Sequence, residues 1–76
     1  MQDEIRQRVL SAIPGAEVEV AGEGNRFEIR VVSPEFADLN RVKRQQRVYA
    51  AIDDLISAGS VHAVTIRALT PDQAGS

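Results

Sequence analysis

One histidine and one cluster of cations are the side chains whose types and spacing suit ligand binding. His62 is the only histidine of the 76-residue chain, and a neutral imidazole is a good ligand for iron or zinc. A lone histidine is more often structural, and one histidine cannot form a metal site alone. The chain has no cysteine, and no set of Asp, Glu and His has ligand spacing. A metal bound through His62 must therefore be shared with a molecule that brings the remaining ligands.

The cations are concentrated where a long helix is predicted to begin. Four of the nine basic residues fall within seven positions: Arg41, Lys43, Arg44 and Arg47. The macrodipole favours acidic side chains at a helix start, so helix stability does not explain this placement. Three interpretations stay open: a solvated helix face, a protein-docking patch and a phosphate-contacting surface. The net charge of −2 and the three aromatic residues argue against nucleic acid as the main ligand.

The sequence contains no recognisable catalytic arrangement. We find no Walker motif, no Ser/His/acid set with a nucleophile turn and no carboxylate pair around a cleft. Gly22-Glu23-Gly24 joins two predicted strands instead of opening a helix, which indicates a hairpin turn and not a phosphate loop. The single tyrosine, Tyr49, falls on an apolar helix stripe and is predicted to lie in the core. We therefore expect a protein that is not an enzyme.

The apolar periodicity predicts the elements that must position these side chains. In chain order they are a helix over Gln2–Ile13, strands over Ala16–Val20 and Arg26–Val32, a helix from Asn40 to Ala58, and a strand over Val61–Ala68. Asn40 is a good N-cap, and Gly59 is a natural residue to end the helix. The stripe expected to pack on the sheet comprises Val42, Val48, Tyr49, Ile52, Leu55 and Ile56.

This order of elements predicts an α+β fold. A strand–helix–strand connection is normally parallel and right-handed, so the hairpin and the last strand should form a three-stranded mixed sheet with both helices on one face. The other face would carry Glu17, Glu19, Arg30, Thr65 and Arg67. Residues 1–70 are expected to form one domain, and residues 71–76 a flexible tail.

Composition narrows the setting of the protein. The apolar fraction of 43% is ordinary for a globular domain, and no apolar run is long enough to cross a membrane. The absence of cysteine fits a reducing compartment. We expect a soluble cytoplasmic protein with no membrane contact.

Two segments of the chain resemble the BolA family. They are FADLNRVKRQQRVY (Phe36–Tyr49) and VHAVTIRALTP (Val61–Pro71), and the Gln-Gln after the basic pair is similar to a short bacterial branch. The resemblance implies a BolA-like fold related to the class II KH arrangement. It also implies a link to stress response and to transcription regulation, through a helix-turn-helix-like segment that here is Pro34 to Ala58.

The same resemblance implies a cofactor and a partner. BolA-like proteins form heterodimers with monothiol glutaredoxins that carry a glutathione-ligated 2Fe–2S cluster, and the histidine of the His-Ala motif, here His62, is a cluster ligand. The implied role is in iron–sulfur cluster assembly or trafficking and in iron homeostasis, with no cluster held by this chain alone. The alternative is a nucleic-acid-binding regulator that uses Arg41, Lys43, Arg44 and Arg47. DNA and a weak homodimer stay open as partners.

The chain departs from the family pattern at two places. A glycine that follows Phe-x in the family is Asp38 here, which suggests a different turn before the long helix. Many family members supply a second ligand, His or Cys, from the loop between the first two strands. The corresponding residues here, 22–26, contain neither, which leaves His62 as the one ligand expected from this chain.

Overall fold

The computed structural model describes residues 1–75. Within them the chain forms α1 (Gln2–Ala12), β1 (Glu17–Glu23), β2 (Arg26–Val32), a 3₁₀ helix (Pro34–Asp38), α2 (Arg41–Ala51), α3 (Asp53–Ser57), β3 (Ala63–Leu69) and α4 (Pro71–Gly75). The predicted order of helix, strand, strand, helix and strand is confirmed, with α3 and α4 added.

The three strands form the predicted mixed sheet. β2 is central, β1 pairs with it antiparallel, and β3 pairs with it parallel. The register aligns Glu19, Arg30 and Arg67 in one row across the sheet. Because side chains alternate along a strand, this row lies on the face opposite the helices, as predicted.

The core lies between the sheet and the helices α1 and α2. It contains side chains from every part of the chain, namely Ile5, Val9, Ile13, Val18, Phe27, Ile29, Val31, Phe36, Val48, Ile52, Leu55, Val61 and Ile66. Phe36, from the 3₁₀ helix, is fully buried. The segment that precedes α2 is therefore anchored to the core before the helix begins.

The predicted packing stripe of α2 is wrong at two positions. Val42 is 64% exposed and Tyr49 is 42% exposed, so neither lies in the core. The buried residues are Val48 and Ile52, which lie one helical turn apart. Tyr49 follows Val48 by about 100° around the helix, which turns its ring out of the interface. The helix thus buries a narrower stripe than its apolar pattern indicates.

The long predicted helix is interrupted at Ile52. This residue has φ −119° and ψ 13°, and the helix resumes at Asp53 with two aspartates in its first turn. Asn40 is confirmed as the N-cap of α2, since its Oδ1 accepts a 2.9 Å hydrogen bond from the N–H of Lys43. Gly59, at φ 80°, ends α3 in the left-handed conformation, as predicted.

Residues after β3 form a short helix, α4, that the sequence analysis does not include. The side chain of Gln73 accepts from the N–H of Thr70 at 2.9 Å, and the hydroxyl of Thr70 accepts from the N–H of Gln73 at 3.3 Å. This is a reciprocal capping box, with Pro71 at the first helical position. The expected flexible tail, 71–76, thus contains a helix over 71–75, and Ser76 lies outside the described residues.

Among residues 1–75, no helix combines the length and the apolar character required to cross a bilayer.

Candidate functional site

His62 lies exposed at the junction between α3 and β3. Its backbone N–H donates to the carbonyl of Asn25 at 2.9 Å, and the N–H of Ala63 donates to the same carbonyl at 3.2 Å. Asn25 belongs to the turn between β1 and β2. The backbone of the histidine is therefore fixed beside the β1–β2 turn.

A helix end lies close to the imidazole. The N–H of Ser60 donates to the carbonyl of Leu55, and that of Gly59 donates to Ile56, both at 3.0 Å, which is the Schellman arrangement. A Cβ atom placed on Gly59 would lie 3.6 Å from Nε2 of His62. The ring thus lies near the end of α3, while the backbone of His62 is bonded to the β1–β2 turn.

The donor set around His62 fits a shared metal site and does not fit a self-contained one. Within residues 1–75, no group of three or more His, Cys, Asp or Glu side chains could hold a metal ion. The adjacent turn offers Asn25 and Arg26, whose amide and guanidinium are not the ligands that iron prefers. A metal bound at this junction would therefore take one imidazole from this chain and its remaining ligands from another molecule.

The structure divides the predicted basic cluster into two pairs. The Nε of Arg44 donates to the carbonyls of Phe36 and Leu39, both at 2.9 Å. Its Nη1 reaches the carbonyl of Ala68 at 3.4 Å and Oε1 of Gln73 at 2.9 Å. Arg44 thus ties the segment before α2 to the end of β3, and its guanidinium is largely occupied by the fold.

Arg47 also has partners within the chain. It donates to the carboxylate of Glu35 at 2.9 Å and to the carbonyl of Ala12 at 3.1 Å. The side chains of Arg41 and Lys43 are exposed and make no hydrogen bond or ion pair with the residues that the structure describes. Only this second pair is available to an external ligand without breaking an internal contact.

His62 and the basic cluster do not form one site. His62 precedes β3, whereas Arg44 contacts Ala68 near the far end of the same strand. Seven strand residues span about 20 Å at the usual rise per residue. The predicted binding residues thus lie at opposite ends of β3, and a partner contacting both would have to cover the length of that strand.

The exposed side chains of Val42 and Tyr49 are surface features that the sequence analysis missed. They lie seven positions apart on α2, so they share one side of the helix. The signal was present in the sequence, because Val48 and Tyr49 cannot both face the sheet fully when consecutive residues are rotated by about 100°.

The segment over 34–58 does not have the form of a DNA-binding helix-turn-helix. Its first part is a five-residue 3₁₀ helix, Pro34–Asp38, with a buried phenylalanine, and not an α-helix that could cross a DNA backbone. Asp38 ends this 3₁₀ helix. Apart from glycines, no residue within 1–75 has a positive φ, so the aspartate does not occupy a conformation that requires glycine.

An ion pair near the helix junction joins α1 to α3. The guanidinium of Arg8 bonds to the carboxylate of Asp54 and also to Glu4, one turn earlier in α1, at 2.9 Å. The hydrogen bond from Arg8 lowers the pKa of Asp54 below the ordinary carboxyl range, and the same bond raises the pKa of Arg8. Both side chains are at the surface, so this pair orients the elements more than it stabilises them.

Comparison with known proteins identifies the family of the chain. The family model for BolA-like proteins matches residues 6–73. An uncharacterized protein in the rpoN-murA intergenic region of Acinetobacter guillouiae is 41% identical over 71 residues, covering 93% of this chain and 86% of that one. The acid stress protein IbaG of Escherichia coli strain K12 is 38% identical over 69 residues, covering 91% of this chain and 82% of its own length.

A solved structure agrees with the assignment. A bolA protein homologue from Coxiella burnetii superposes with a TM-score of 0.85 at 25% identity, covering 100% of this chain and 97% of that one. The match extends over the sheet, the helices and the junction that carries His62. With a family model over nearly its whole length, close relatives and a common fold, the chain belongs to the BolA-like protein family.

Proposed function

We propose that this protein is a non-enzymatic partner of a monothiol glutaredoxin and that His62 supplies one ligand to a 2Fe–2S cluster that the glutaredoxin carries with glutathione. The observation that carries the proposal is the exposed imidazole of His62, which lies near the end of α3 and whose backbone N–H is bonded to the Asn25 carbonyl. Because its main chain is already fixed on the protein, the ligand has little backbone freedom to lose when it binds.

The division of ligands follows from the chain's composition. With no cysteine and one histidine, the protein offers a nitrogen donor, and every thiolate must come from the glutaredoxin and glutathione. The cluster is cargo shared between two proteins in this proposal, consistent with a role in cluster assembly or trafficking and in iron homeostasis. A relative named an acid stress protein supports a connection to stress response.

Arg41 and Lys43 have a separate task in the proposed complex. Since their side chains have no partner within residues 1–75, they can attract an acidic surface of the glutaredoxin without loss of internal contacts. Charges at the rim of an interface act mainly on the association rate. The ligand bond and the electrostatic attraction are thus assigned to opposite ends of β3.

Regulation through nucleic acid binding is not favoured. Of the four cations that this function would use, Arg44 and Arg47 are bonded to the chain itself. Each phosphate contact contributes to affinity through counterion release, so two free cations give a weak electrostatic footprint. The 3₁₀ helix before α2 also lacks the geometry of the first helix of a DNA-binding motif.

The test is to mix this protein with a cluster-loaded monothiol glutaredoxin and record visible circular dichroism. We expect the wild type to change the cluster spectrum and His62→Ala to abolish that change. Thr65→Ala, which also removes an exposed side chain near the start of β3, is the matched control and should behave like the wild type. An unaltered spectrum with the wild-type protein would overturn the proposal.

A further inference from the structure

The two edges of the sheet differ in how their outward backbone groups are satisfied. β1 and β3 are the edge strands. On β3, the carbonyl of Ile66 accepts from Nε2 of Gln45 at 2.7 Å, and the carbonyl of Ala68 accepts from Arg44 at 3.4 Å. Side chains of α2 thus cover the edge of β3, which is a common protection against the addition of another strand.

The edge of β1 lacks this cover over most of its length. The hairpin closes with Glu23 opposite Arg26 about a two-residue turn, so the odd-numbered residues of β1 exchange hydrogen bonds with β2 and the even-numbered ones point their backbone groups outward. The carbonyl of Gly22 agrees with this parity, because it accepts from the side chain of Gln2 at 2.9 Å. Val18 and Val20 are also even-numbered, so their backbone N–H and C=O groups point outward as well.

The outward groups of Val18 and Val20 are available to another chain. No side chain or loop backbone group within residues 1–75 bonds to the N–H or C=O of either valine. Two free N–H and C=O pairs at alternate positions are what an added strand needs to continue a ladder. The free stretch of edge therefore extends from the start of β1 to the carbonyl that Gln2 covers.

The charges beside this edge select the partner. Glu17, Glu19 and Glu23 are the charged side chains of β1, and all three are exposed. Glu19 makes a long ion pair with Arg30 of β2, at 3.6 Å, and its side chain stays 74% exposed. A second copy of β1 would bring glutamates opposite glutamates, and like charges in opposite positions are destabilising. A strand with lysine or arginine at alternate positions would pair with them instead. The edge is thus complementary to a basic strand and repels its own copy.

Two partly buried apolar side chains lie on the helix side of the sheet near this edge. Val20 is half-buried and packs against the core, and so does Leu10 of α1. Leu10 follows Arg8 by two positions, which rotates it by about 200° around the helix. Because Arg8 contacts Asp54 of α3, Leu10 lies on the opposite side of α1. An added strand could place apolar side chains toward Val20 and Leu10 and basic ones on the open face.

From these observations we propose that the free edge of β1 binds an extended segment of a partner protein in which apolar and basic residues alternate. Backbone hydrogen bonds to Val18 and Val20 would supply the affinity, and the glutamates would supply the specificity, as in other cases of strand addition. The site lies on a different edge of the sheet from the strand that follows His62, so it is independent of the proposed cluster function.

The experiment uses a capped synthetic peptide of alternating lysine and valine and the ¹⁵N-labelled full chain. Without peptide, the amides of Val18 and Val20 should exchange freely, while those of Glu19 and Ala21 are protected by β2. At saturating peptide, exchange at Val18 and Val20 should slow by about tenfold or more, which corresponds to ~1.4 kcal/mol of protection. A peptide with glutamate in place of lysine should not bind.

Two further measurements separate strand addition from charge attraction. A lysine–valine peptide whose β1-facing backbone amides are N-methylated keeps its charge but cannot donate hydrogen bonds to β1, so it should not bind the protein. The Glu17→Lys/Glu19→Lys variant should lose affinity for the lysine peptide and gain affinity for the glutamate peptide. The absence of binding up to about 1 mM peptide would overturn the proposal, as would binding mapped to β3. Protein-concentration-dependent shifts at β1 would assign the edge to a second copy and equally overturn it.

Discussion

The backbone N–H of His62 donates a 2.9 Å hydrogen bond to the carbonyl of Asn25, and this contact joins the start of β3 to the β1–β2 turn. The bond uses only main-chain atoms of both residues. Substitution of either side chain therefore leaves the contact in place, and the chemistry at the junction can be varied without moving the backbone.

The turn can be used to add a ligand. Asn25→His should place a second imidazole beside His62, since Asn25 has no positive φ and its carbonyl already accepts from the histidine. We expect the mixed complex with cluster-loaded glutaredoxin to lose its cluster more slowly than the wild-type complex. The measurement is the decay of the visible absorbance after addition of a chelator. Asn25→Gln is the control, and equal decay for both variants would contradict the prediction.

Arg44 and Arg41 should differ in their effect on stability. Arg44→Met removes the donor to Phe36, Leu39 and Ala68 and leaves these carbonyls without that partner, which should lower the free energy of unfolding by about 1–3 kcal/mol. Arg41→Met removes no internal contact and should stay within about 0.5 kcal/mol. Urea unfolding followed by far-UV circular dichroism checks both values. Similar midpoints for the two variants would show that Arg44 is not a structural tie.

The exposed cations should act on association rates. Arg41→Glu is expected to slow binding to the glutaredoxin at low ionic strength, with the difference shrinking as salt screens the charges. Stopped-flow mixing at several salt concentrations measures this effect. Arg6→Glu makes the same change of charge at an exposed position of α1 and is the control. If both variants slow association equally, overall charge and not the start of α2 attracts the partner.

The ion pair of Arg8 and Asp54 should contribute to acid sensitivity. The hydrogen bond from Arg8 holds the folded-state pKa of Asp54 below its unfolded value. Between these two pKa values the folded state therefore binds fewer protons than the unfolded state. The stabilisation by the ion pair is complete above the unfolded pKa, about 4, and is lost as pH falls through the folded pKa. Urea midpoints of wild type and Arg8→Gln should converge from pH 7 to pH 3. A difference that grows on acidification would contradict this sign.

The corrected packing of α2 predicts unequal costs for two truncations. Ile52 is fully buried, so Ile52→Ala should cost about 2–5 kcal/mol through lost burial and cavity formation. Tyr49, at 42% exposure, has less to lose, and Tyr49→Ala should cost about 1 kcal/mol or less. Thermal unfolding ranks the two variants. A larger loss of stability for Tyr49→Ala than for Ile52→Ala would contradict this packing and would support the sequence-based prediction that Tyr49 lies in the core.

Local signals in the sequence predicted some element bounds and missed others, since the first strand was expected over Ala16–Val20 and β1 continues to Glu23. The alternation over 26–32 gives the bounds of β2 as observed, Asn40 caps α2, and Gly59 ends α3. The capping box of α4 is also readable, because threonine is followed three positions later by glutamine with proline between them. The helix break at Ile52 has no comparable signal, since neither proline nor glycine is present there.

The site was harder to predict than the fold. His62 could be singled out as the only imidazole, but its contact with Asn25 depends on β3 lying beside β2. Arg44 and Arg47 were predicted as binding residues because their internal partners could not be recognised in the sequence. Most of those partners are backbone carbonyls, which every residue has. Charge density in a sequence therefore overestimated the cations that are available to a ligand.

The parallel pairing of β2 and β3 also affects the order in which the protein folds. The β1–β2 hairpin forms between neighbours in sequence, whereas β3 pairs across a loop that includes α2 and α3. Closing such a loop has an entropic cost that the local hairpin avoids, so β3 is expected to dock late and to detach early. His62, the proposed cluster ligand, precedes this late-docking strand. A glutaredoxin that holds His62 would consequently also slow the detachment of β3. Formation of the complex would then protect the BolA-like protein from unfolding.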